Sequence, residues 1–251
     1  MTNGFDSARA KIGRAFEHRK ALRLELKRYA QSKPYKEIPQ PNGKTKFVLV
    51  KEPGEGISIL SGEILYQCRS ALDHVFFELV TRHGIPAVKN WERKCQFPLC
   101  TEQSDFPPGK IKEWISEPAF AFIERLQPYR RGDTANRLLR MLAKLSNIDK
   151  HRRLNTVVSR LTVRDTFRAA NRSISYDAIH PMLNNGAELD APLVPSDLVP
   201  ILPNAVHVKR ELTPIVAFDE SSAGSPESCI VEGSVNQIPT LILGYIIPAL
   251  M

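Results

Sequence analysis

Two short polar clusters contain the side chains that acid–base chemistry and phosphate binding require. The first is Arg69-Ser70-Ala71-Leu72-Asp73-His74 and the second is Asn147-Ile148-Asp149-Lys150-His151-Arg152-Arg153. Histidine suits proton transfer because its pKa lies near neutrality, and arginine or lysine suits a phosphate. The candidate catalytic residues are therefore His74 or His151 as acid or base, Arg69 on phosphate and Asp73 as an orienting carboxylate.

The first cluster is unusual for a helix because it places charges among apolar residues. At 100° per residue, Asp73 lies about 40° from Arg69, which makes the two an i,i+4 ion pair. Removing one partner of a buried ion pair typically costs about 3–5 kcal/mol, so such a pair needs further partners or a function. We expect Arg69 and Asp73 to contact each other or the second cluster. His74 lies about 140° from Arg69 and shares a polar strip with Glu63 and Gln67.

The second cluster ends a predicted helix that carries a basic stripe at three- and four-residue spacing. The candidate nucleic-acid-binding residues along it are Arg137, Arg140, Lys144, Asn147, Lys150 and Arg152. Such a stripe could bind a phosphate backbone. It has an equally good structural interpretation, because cations near a helix C-terminus interact favourably with the helix dipole.

The charge of the chain is unevenly distributed. Residues 1–155 contain 29 Lys and Arg against 17 Asp and Glu, a net charge of +12, whereas residues 156–251 carry −4. This asymmetry indicates either a polyanionic partner for the first part or, equally well, a solvated helical surface. We predict that the partner is RNA or single-stranded nucleic acid. The sequence has no phosphate-binding glycine loop, no nucleophile elbow and no zinc-protease helix, which disfavours the common NTPases, α/β-hydrolases and zincins.

The elements that position these clusters divide near residue 155. Apolar residues at helical spacing predict helices over 5–30, from Ser61 to about 83, at 111–115 and 118–127, and from Thr134 to about 153. Asn42-Gly43 before an alternating segment predicts a β-ribbon between residues 36 and 50. After Leu154, alternating β-branched segments, including Ile230-Val231, predict strands. The fold class is therefore α+β, with a basic helical bundle over 1–155 and an antiparallel β-rich region over 156–251 packed on it.

Composition indicates a cytoplasmic protein that does not span a membrane. The longest apolar stretch, Ile238–Met251, is shorter than the roughly 20 residues that cross a bilayer, and the N-terminus lacks a secretory signal. Four scattered cysteines do not make a disulfide framework. Cys95 and Cys100 have a C-x4-C spacing but no second ligand pair, so two small apolar residues are a better interpretation than a zinc site.

Four strings together resemble a set found in uncharacterised bacterial and phage proteins. They are Cys68-Arg69-Ser70-Ala71-Leu72-Asp73-His74, Phe97-Pro98-Leu99, Leu126-Gln127-Pro128-Tyr129 and Leu145-Ser146-Asn147-Ile148-Asp149-Lys150-His151-Arg152. Separately, the spacing of Arg69 and His74 is similar to the Arg-x4-6-His motif of HEPN-type helical ribonucleases of toxin and phage-defence systems. That second resemblance implies metal-independent RNA cleavage without a cofactor, with Arg69 on the scissile phosphate, His74 at the 2′-OH and a homodimeric site.

Three functions are compatible with these patterns. The first is RNA binding with or without cleavage. The second is a non-enzymatic interaction module in which Arg69–Asp73 and Asp149–Lys150–His151 crosslink helices. The third is a divalent metal site built from Asp73, His74, Asp149 and His151, which requires the two helices to pack side by side.

Overall fold

A computed structural model of the 251-residue chain describes residues 3–42, 44–107, 111–169, 172–181, 187–189, 205–218 and 230–251. It confirms the α+β fold class. The helices are α1 (Gly4–Gln31), α2 (Glu55–His83), α3 (Trp91–Lys94), α4 (Ile111–Trp114), α5 (Glu117–Arg125), α6 (Thr134–His151), α7 (Val231–Leu241) and α8 (Ile247–Leu250). The strands are β1 (Tyr35–Pro39), β2 (Thr45–Leu49), β3 (Thr156–Ala169), β4 (Arg172–Pro181), β5 (Ala187–Leu189) and β6 (Val206–Phe218).

Contacts divide the chain into two compact units whose segments alternate along the sequence. The helical unit comprises Met1–Leu24, Glu55–Asn155 and Phe218–Met251, and the strand unit comprises Glu25–Gly54 and Thr156–Ala217. Residue 155 therefore ends a segment of the helical unit. The β-ribbon belongs to the strand unit, and the C-terminal segment belongs to the helical unit. A single domain boundary at residue 155 does not describe this arrangement.

The core of the helical unit is built around α2. Its buried residues cover most of its circumference and include Ile64, Leu72 and Phe76, so α2 is surrounded by other elements. Helix α1 instead buries one stripe, with Phe5, Ala8, Ile12, Ala15 and Leu22 at helical spacing, and exposes most of its basic residues. Both long helices were predicted from apolar residues at helical spacing, which form one stripe in α1 and cover most of the circumference of α2.

Two helix starts differ from the prediction. Helix α2 begins at Glu55, six residues before Ser61, and the Ser61 hydroxyl donates to the Ile57 carbonyl within the helix. Serine can satisfy its hydroxyl in this way inside a helix, which makes it an ambiguous start signal. Helix α6 is capped by Asp133 and not by Thr134, because the Asp133 carboxylate accepts from the Asn136 N–H while Asn136 reciprocates in a capping box.

The strand unit contains two three-stranded sheets in the orders β1-β2-β5 and β4-β3-β6. The ribbon pairs antiparallel with Tyr35 opposite Leu49, and β3 pairs antiparallel with β4 from Arg160 opposite Pro181 to Ala169 opposite Arg172. Phe47, Leu161 and Val163 form the apolar cluster of this unit, with Tyr35 and Leu212 against it. Most of the predicted irregular connection at 181–204 lies outside the described residues.

The end of the chain is helical, and the predicted strand at Ile230-Val231 is wrong. Helix α7 begins at Val231 and continues through a π-turn, Ile242–Ile246, into α8. By length and composition, Val231–Leu250 could span a membrane, but one face is buried against the neighbouring helices α2 and α6. The core helix of a soluble protein passes the same test, so the segment is consistent with a soluble protein.

Candidate functional site

Arg69 and Asp73 contact each other, as predicted, and together they bind the backbone of one residue. Arg69 Nη2 lies 3.2 Å from Asp73 Oδ1 and donates to the Phe97 carbonyl at 2.8 Å, while the Phe97 N–H donates to Asp73 Oδ1 at 2.9 Å. Burial raises the pKa of Asp73, and the charge of Arg69 and the bond from Phe97 oppose that rise. The pair is thus a partly buried crosslink between α2 and the loop that follows α3.

The same loop is held from its other side by Gln127. Its side-chain oxygen accepts from the Cys100 N–H at 3.0 Å, and its amide nitrogen donates to the carbonyls of Pro98 and Ile123. The Asn136 side chain of α6 in turn donates to the Gln127 carbonyl. Three of the four strings noted in the sequence therefore meet in one hydrogen-bond network around residues 97–100.

His74 lies on a different side of α2 from this network, facing α1. Burial and the nearby Lys11 ammonium lower the pKa of His74. On the same side, the Gly4 N–H donates to Glu78 at 2.7 Å and His18 Nδ1 lies 3.0 Å from Glu63 Oε2. The structure thus places His74 in a polar seam between α1 and α2, as its 140° offset from Arg69 predicts.

The basic stripe of α6 is only partly available to a ligand. Arg140 is half-buried and donates twice to the Pro128 carbonyl, so its guanidinium is a structural group. Lys144 is half-buried. The exposed members of the two predicted sets on this helix and at its end are Arg137, Asn147, Lys150, His151 and Arg152. Lys150 also lies near enough to Asp73 to lower its pKa, which connects the two sequence clusters electrostatically.

Asp149 lies directly against the backbone of α2 at Gly62. A β-carbon at residue 62 would collide with the Asp149 carboxylate and lie 2.8 Å from its Cγ. Burial raises the pKa of Asp149, and no hydrogen bond to its carboxylate is found in the described part of the chain. A glycine is therefore required at 62 for this carboxylate to occupy its place between the two helices.

Asp149 forms part of the wall of a cleft between α1, α2 and α6, which we call the α1–α2–α6 cleft. Its volume is about 680 Å³. The polar lining residues are Arg14 and His18 from α1, Ser58, Glu63, Tyr66 and Gln67 from α2, Asp149 from α6, and Arg153 just beyond it. This size is within the range of small-molecule and cofactor sites.

Several polar groups in this cleft have partners they could exchange for a ligand, or no partner. Arg14 pairs with Glu17 and Arg153 with Glu55, but these four side chains are all more than half exposed, so the pairs contribute little to stability. The buried side-chain oxygen of Gln67 has no hydrogen-bond partner among the residues that the structure describes. The Tyr66 ring is 59% exposed, with Lys11 Nζ 5.9 Å from its centroid.

His18 and Glu63 have the geometry of a base and its orienting carboxylate. His18 Nδ1 lies 3.0 Å from Glu63 Oε2, and an ionised carboxylate can only accept hydrogen bonds, so the tautomer with the proton on Nδ1 is favoured. The lone pair is then on Nε2, the nitrogen that can take a proton from a substrate. The cleft can therefore supply a base, a carboxyl group of raised pKa and two cations.

Sequence reasoning did not select most of these residues. Asp149 was noted as a member of the second cluster, whereas Arg14, His18, Tyr66 and Arg153 were not proposed as site residues. A signal exists in the spacing, because Arg14 and His18, and Glu63 and Gln67, are each i,i+4 pairs on one helix face. Asp149 and Arg153 have the same spacing, but Arg153 lies beyond the end of α6. Many such pairs occur in the chain, and only the packing of three helices identifies the ones that meet.

The metal-site alternative is wrong for the residues proposed. No group of three His, Cys, Asp or Glu side chains that could hold an ion occurs among the residues that the structure describes, so Asp73, His74, Asp149 and His151 do not form one donor set. Cys68, Cys95 and Cys100 are free and buried, and burial raises the pKa of Cys95 to about 12. Cys229 lies outside the described residues.

Comparisons with protein-family models, with characterised proteins and with solved structures each find no match to this chain. The two resemblances drawn from the motifs therefore stay predictions, and the function is inferred from the geometry of the cleft.

Proposed function

We propose that the helical unit binds single-stranded RNA in the α1–α2–α6 cleft. The observation that carries this proposal is the exposed Tyr66 ring, which lies beside Lys11 and in a cleft with Arg14 and Arg153. Base stacking on an exposed aromatic ring and cations on the phosphates are the two contacts that single-stranded nucleic acids use most. The predicted RNA partner is thus retained, while the proposed binding surface moves from the α6 stripe to the cleft.

The charge distribution supports a polyanionic ligand over a neutral one. The cleft belongs to the part of the chain with a net charge of +12, and α1 continues outward from it with exposed Arg9, Lys20 and Arg23. Neutralising phosphates releases counterions, so the affinity should fall with salt by a slope of about −0.7 per phosphate contacted. The cytoplasmic location, the homodimer and the toxin or phage-defence role stay predictions.

Fluorescence anisotropy with a labelled oligouridine tests the binding site. Replacing Tyr66→Ala should weaken binding about 5- to 150-fold, the range expected for one lost stacking contact of about 1–3 kcal/mol. The matched control is Tyr176→Ala, which removes a tyrosine of similar exposure, 49%, from β4 of the strand unit. Equal losses in the two variants would contradict the proposed site.

The salt dependence separates the cleft from the α6 stripe. Replacing Arg14 and Arg153 together by glutamine should flatten the salt slope by about 1.4, corresponding to two phosphate contacts. Replacing Arg137 and Lys144 together should leave the slope unchanged. If only the second pair flattens the slope, RNA binds along the stripe and the cleft assignment is wrong.

A second candidate function, metal-independent cleavage of the bound RNA, is favoured by the His18–Glu63 pair facing the same cleft as Asp149. His18 Nε2 would accept the 2′-OH proton as the 2′-oxygen bonds to phosphorus. The bond from phosphorus to the 5′-oxygen would break, and a solvent water would protonate that oxygen, while the His18 imidazolium would return its proton to solvent. The products would be a 2′,3′-cyclic phosphate and a 5′-hydroxyl.

Three histidine variants decide whether this chemistry occurs and where. Cleavage of RNA in the presence of a chelator should be lost with His18→Ala and retained with His74→Ala and His151→Ala. A substrate with 2′-deoxyribose at every position should bind but stay intact. Loss of cleavage in His74→Ala alone would instead support the HEPN-type assignment of Arg69 and His74.

A further inference from the structure

A second hollow in the helical unit lies beside the loop of residues 97–100, on the side of α2 that carries Arg69. Its volume is about 650 Å³, and apolar groups form most of its wall, including Val88, Phe97, Leu99, Ile111 and Trp114. Its polar lining consists of Arg69, Lys94 and Gln96. A mostly apolar cavity of this size with a few convergent polar groups is typical of a small-molecule site.

The wall of this hollow is rigid because its backbone is hydrogen-bonded from two sides. Arg69 and Asp73 bind Phe97, and Gln127 binds Pro98 and Cys100. Trp114 and Ile111 are buried at 7% and 4% exposure, so they too are fixed in place. A cavity whose lining is held in this way is already formed before a ligand binds, which reduces the entropic cost of binding.

The charges at the hollow select an anion with a single charge. Arg69 uses Nη2 for Phe97 and Asp73, while its Nε and Nη1 make no hydrogen bond within the described residues. Asp73 offsets the charge of Arg69. Lys94 is exposed and makes no ion pair in the described part of the chain, so one positive charge is left uncompensated.

We propose that this hollow binds a small organic monocarboxylate whose body is apolar. The carboxylate would lie between Lys94 and the free edge of the Arg69 guanidinium, and the apolar body would pack on Trp114, Ile111 and Leu99. A nucleic acid fits poorly, because its successive phosphates need several cations and the hollow leaves only one unpaired. The site is therefore distinct from the α1–α2–α6 cleft, and its ligand does not depend on the RNA proposal.

Nuclear magnetic resonance on the full chain, observing the indole N–H of Trp114, tests the proposal with 4-phenylbutyrate as the probe. The chain has two tryptophans, and Trp114→Phe assigns the signal. 4-Phenylbutyrate should shift the Trp114 signal in a saturable manner, and the neutral 4-phenylbutyramide should bind at least several-fold more weakly. No saturable shift, or equal affinity for acid and amide, would overturn the proposal.

Charge variants on α3 provide the matched comparison. Lys94→Gln should weaken binding of the carboxylate about three- to fivefold, as for one exposed ion pair, and leave the amide unaffected. Arg93→Gln removes the same charge from the adjacent exposed residue, which does not line the hollow, and should change neither affinity. Equal effects of the two variants would show only a general attraction of anions and would contradict the site. Both residues are exposed, so neither variant should unfold the protein.

Discussion

The two polar regions that α2 lines, around Arg69 and in the α1–α2–α6 cleft, differ in how completely their groups are paired. Around Arg69, the carboxylate, the guanidinium, the Phe97 backbone and the Gln127 amide all take part in one bonded network. In the α1–α2–α6 cleft, Asp149 has no hydrogen bond among the described residues, Gln67 has an unpartnered oxygen, and the arginines pair only with exposed glutamates. Side chains that satisfy each other stabilise a fold, whereas unsatisfied ones in a cleft are available to a ligand.

This comparison changes the meaning of the motifs. The strings that stand out in the sequence, around Arg69, Phe97 and Gln127, form the hydrogen-bonded network. The structural-crosslink interpretation of Arg69–Asp73 is therefore the one with direct geometric support, and it leaves Arg69 free only along the edge that faces the hollow. The groups suited to acid–base chemistry, His18 with Glu63, lie outside that network.

The largest effect expected from this comparison is the loss of stability on replacing Arg69→Ala. Its removal leaves the Phe97 carbonyl and the Asp73 carboxylate without their charged partner in a partly buried place. We expect the free energy of unfolding to fall by about 3–5 kcal/mol, measured by urea denaturation.

The matched control for this variant is Arg153→Ala in the cleft. Its ion pair with Glu55 is exposed at both ends, so the loss should be below about 1 kcal/mol. Similar losses for the two arginines would remove the distinction between the two regions. An unchanged stability in Arg69→Ala would show that the Phe97 loop does not depend on the pair.

We expect an intermediate loss of stability on replacing Gly62→Ala, because the absence of a side chain at residue 62 makes room for the Asp149 carboxylate. The methyl group of Gly62→Ala would collide with the Asp149 carboxylate, and overpacking of this kind costs about 1–3 kcal/mol. RNA affinity should fall as well, because the carboxylate must move within the cleft. Thermal denaturation and anisotropy on the same preparation measure both.

Gly13→Ala is the control for this substitution. Gly13 lies inside α1, and a β-carbon added there would meet no neighbouring atom within 4 Å, so alanine should stabilise the helix by about 0.5–1 kcal/mol. We therefore expect Gly62→Ala to lower the stability and Gly13→Ala to raise it. A stabilising Gly62→Ala would mean that Asp149 can move without cost.

The elements that periodicity determines were predictable from the sequence. The buried stripe of α1 and the all-round apolar surface of α2 follow from 3.6-residue spacing, and Gly84 with Pro86 marks the end of α2 correctly. The contact of Arg69 with Asp73 followed from helix geometry alone. These features depend on residues close together in the chain.

Features that depend on packing between distant segments were not predictable. Ile230-Val231 has the β-branched composition of a strand, yet Val231 begins a helix because its apolar face is buried beside α2 and α6. The cleft likewise needs Arg14, Glu63 and Asp149, which are separated by tens of residues, to meet through helix packing. Nothing local in the sequence distinguishes His18 from the other histidines.

The smallest effect in this comparison is a pH-dependent gain of stability on replacing Asp149→Asn. Burial raises the pKa of Asp149 above its ordinary value of 3.8, so between 3.8 and the raised pKa the folded chain binds more protons than the unfolded chain. Stability therefore falls as the pH rises through this window and stays lower at neutral pH. Asparagine removes the ionisation, so the variant should be more stable than the natural chain at pH 7, by less than about 1 kcal/mol because solvent reaches the carboxyl group. The gain in stability should vanish below pH 3.8.

Asp177 is the control, because its hydrogen bond from Arg164 lowers the pKa of its carboxyl group. Asp177→Asn should therefore lower the stability at pH 7 and leave it unchanged in acid. Thermal melts of the two variants across the pH range check the direction of both stability changes. If Asp149→Asn is less stable than the natural chain at pH 7, the Asp149 carboxylate is paired as fully as that of Asp73.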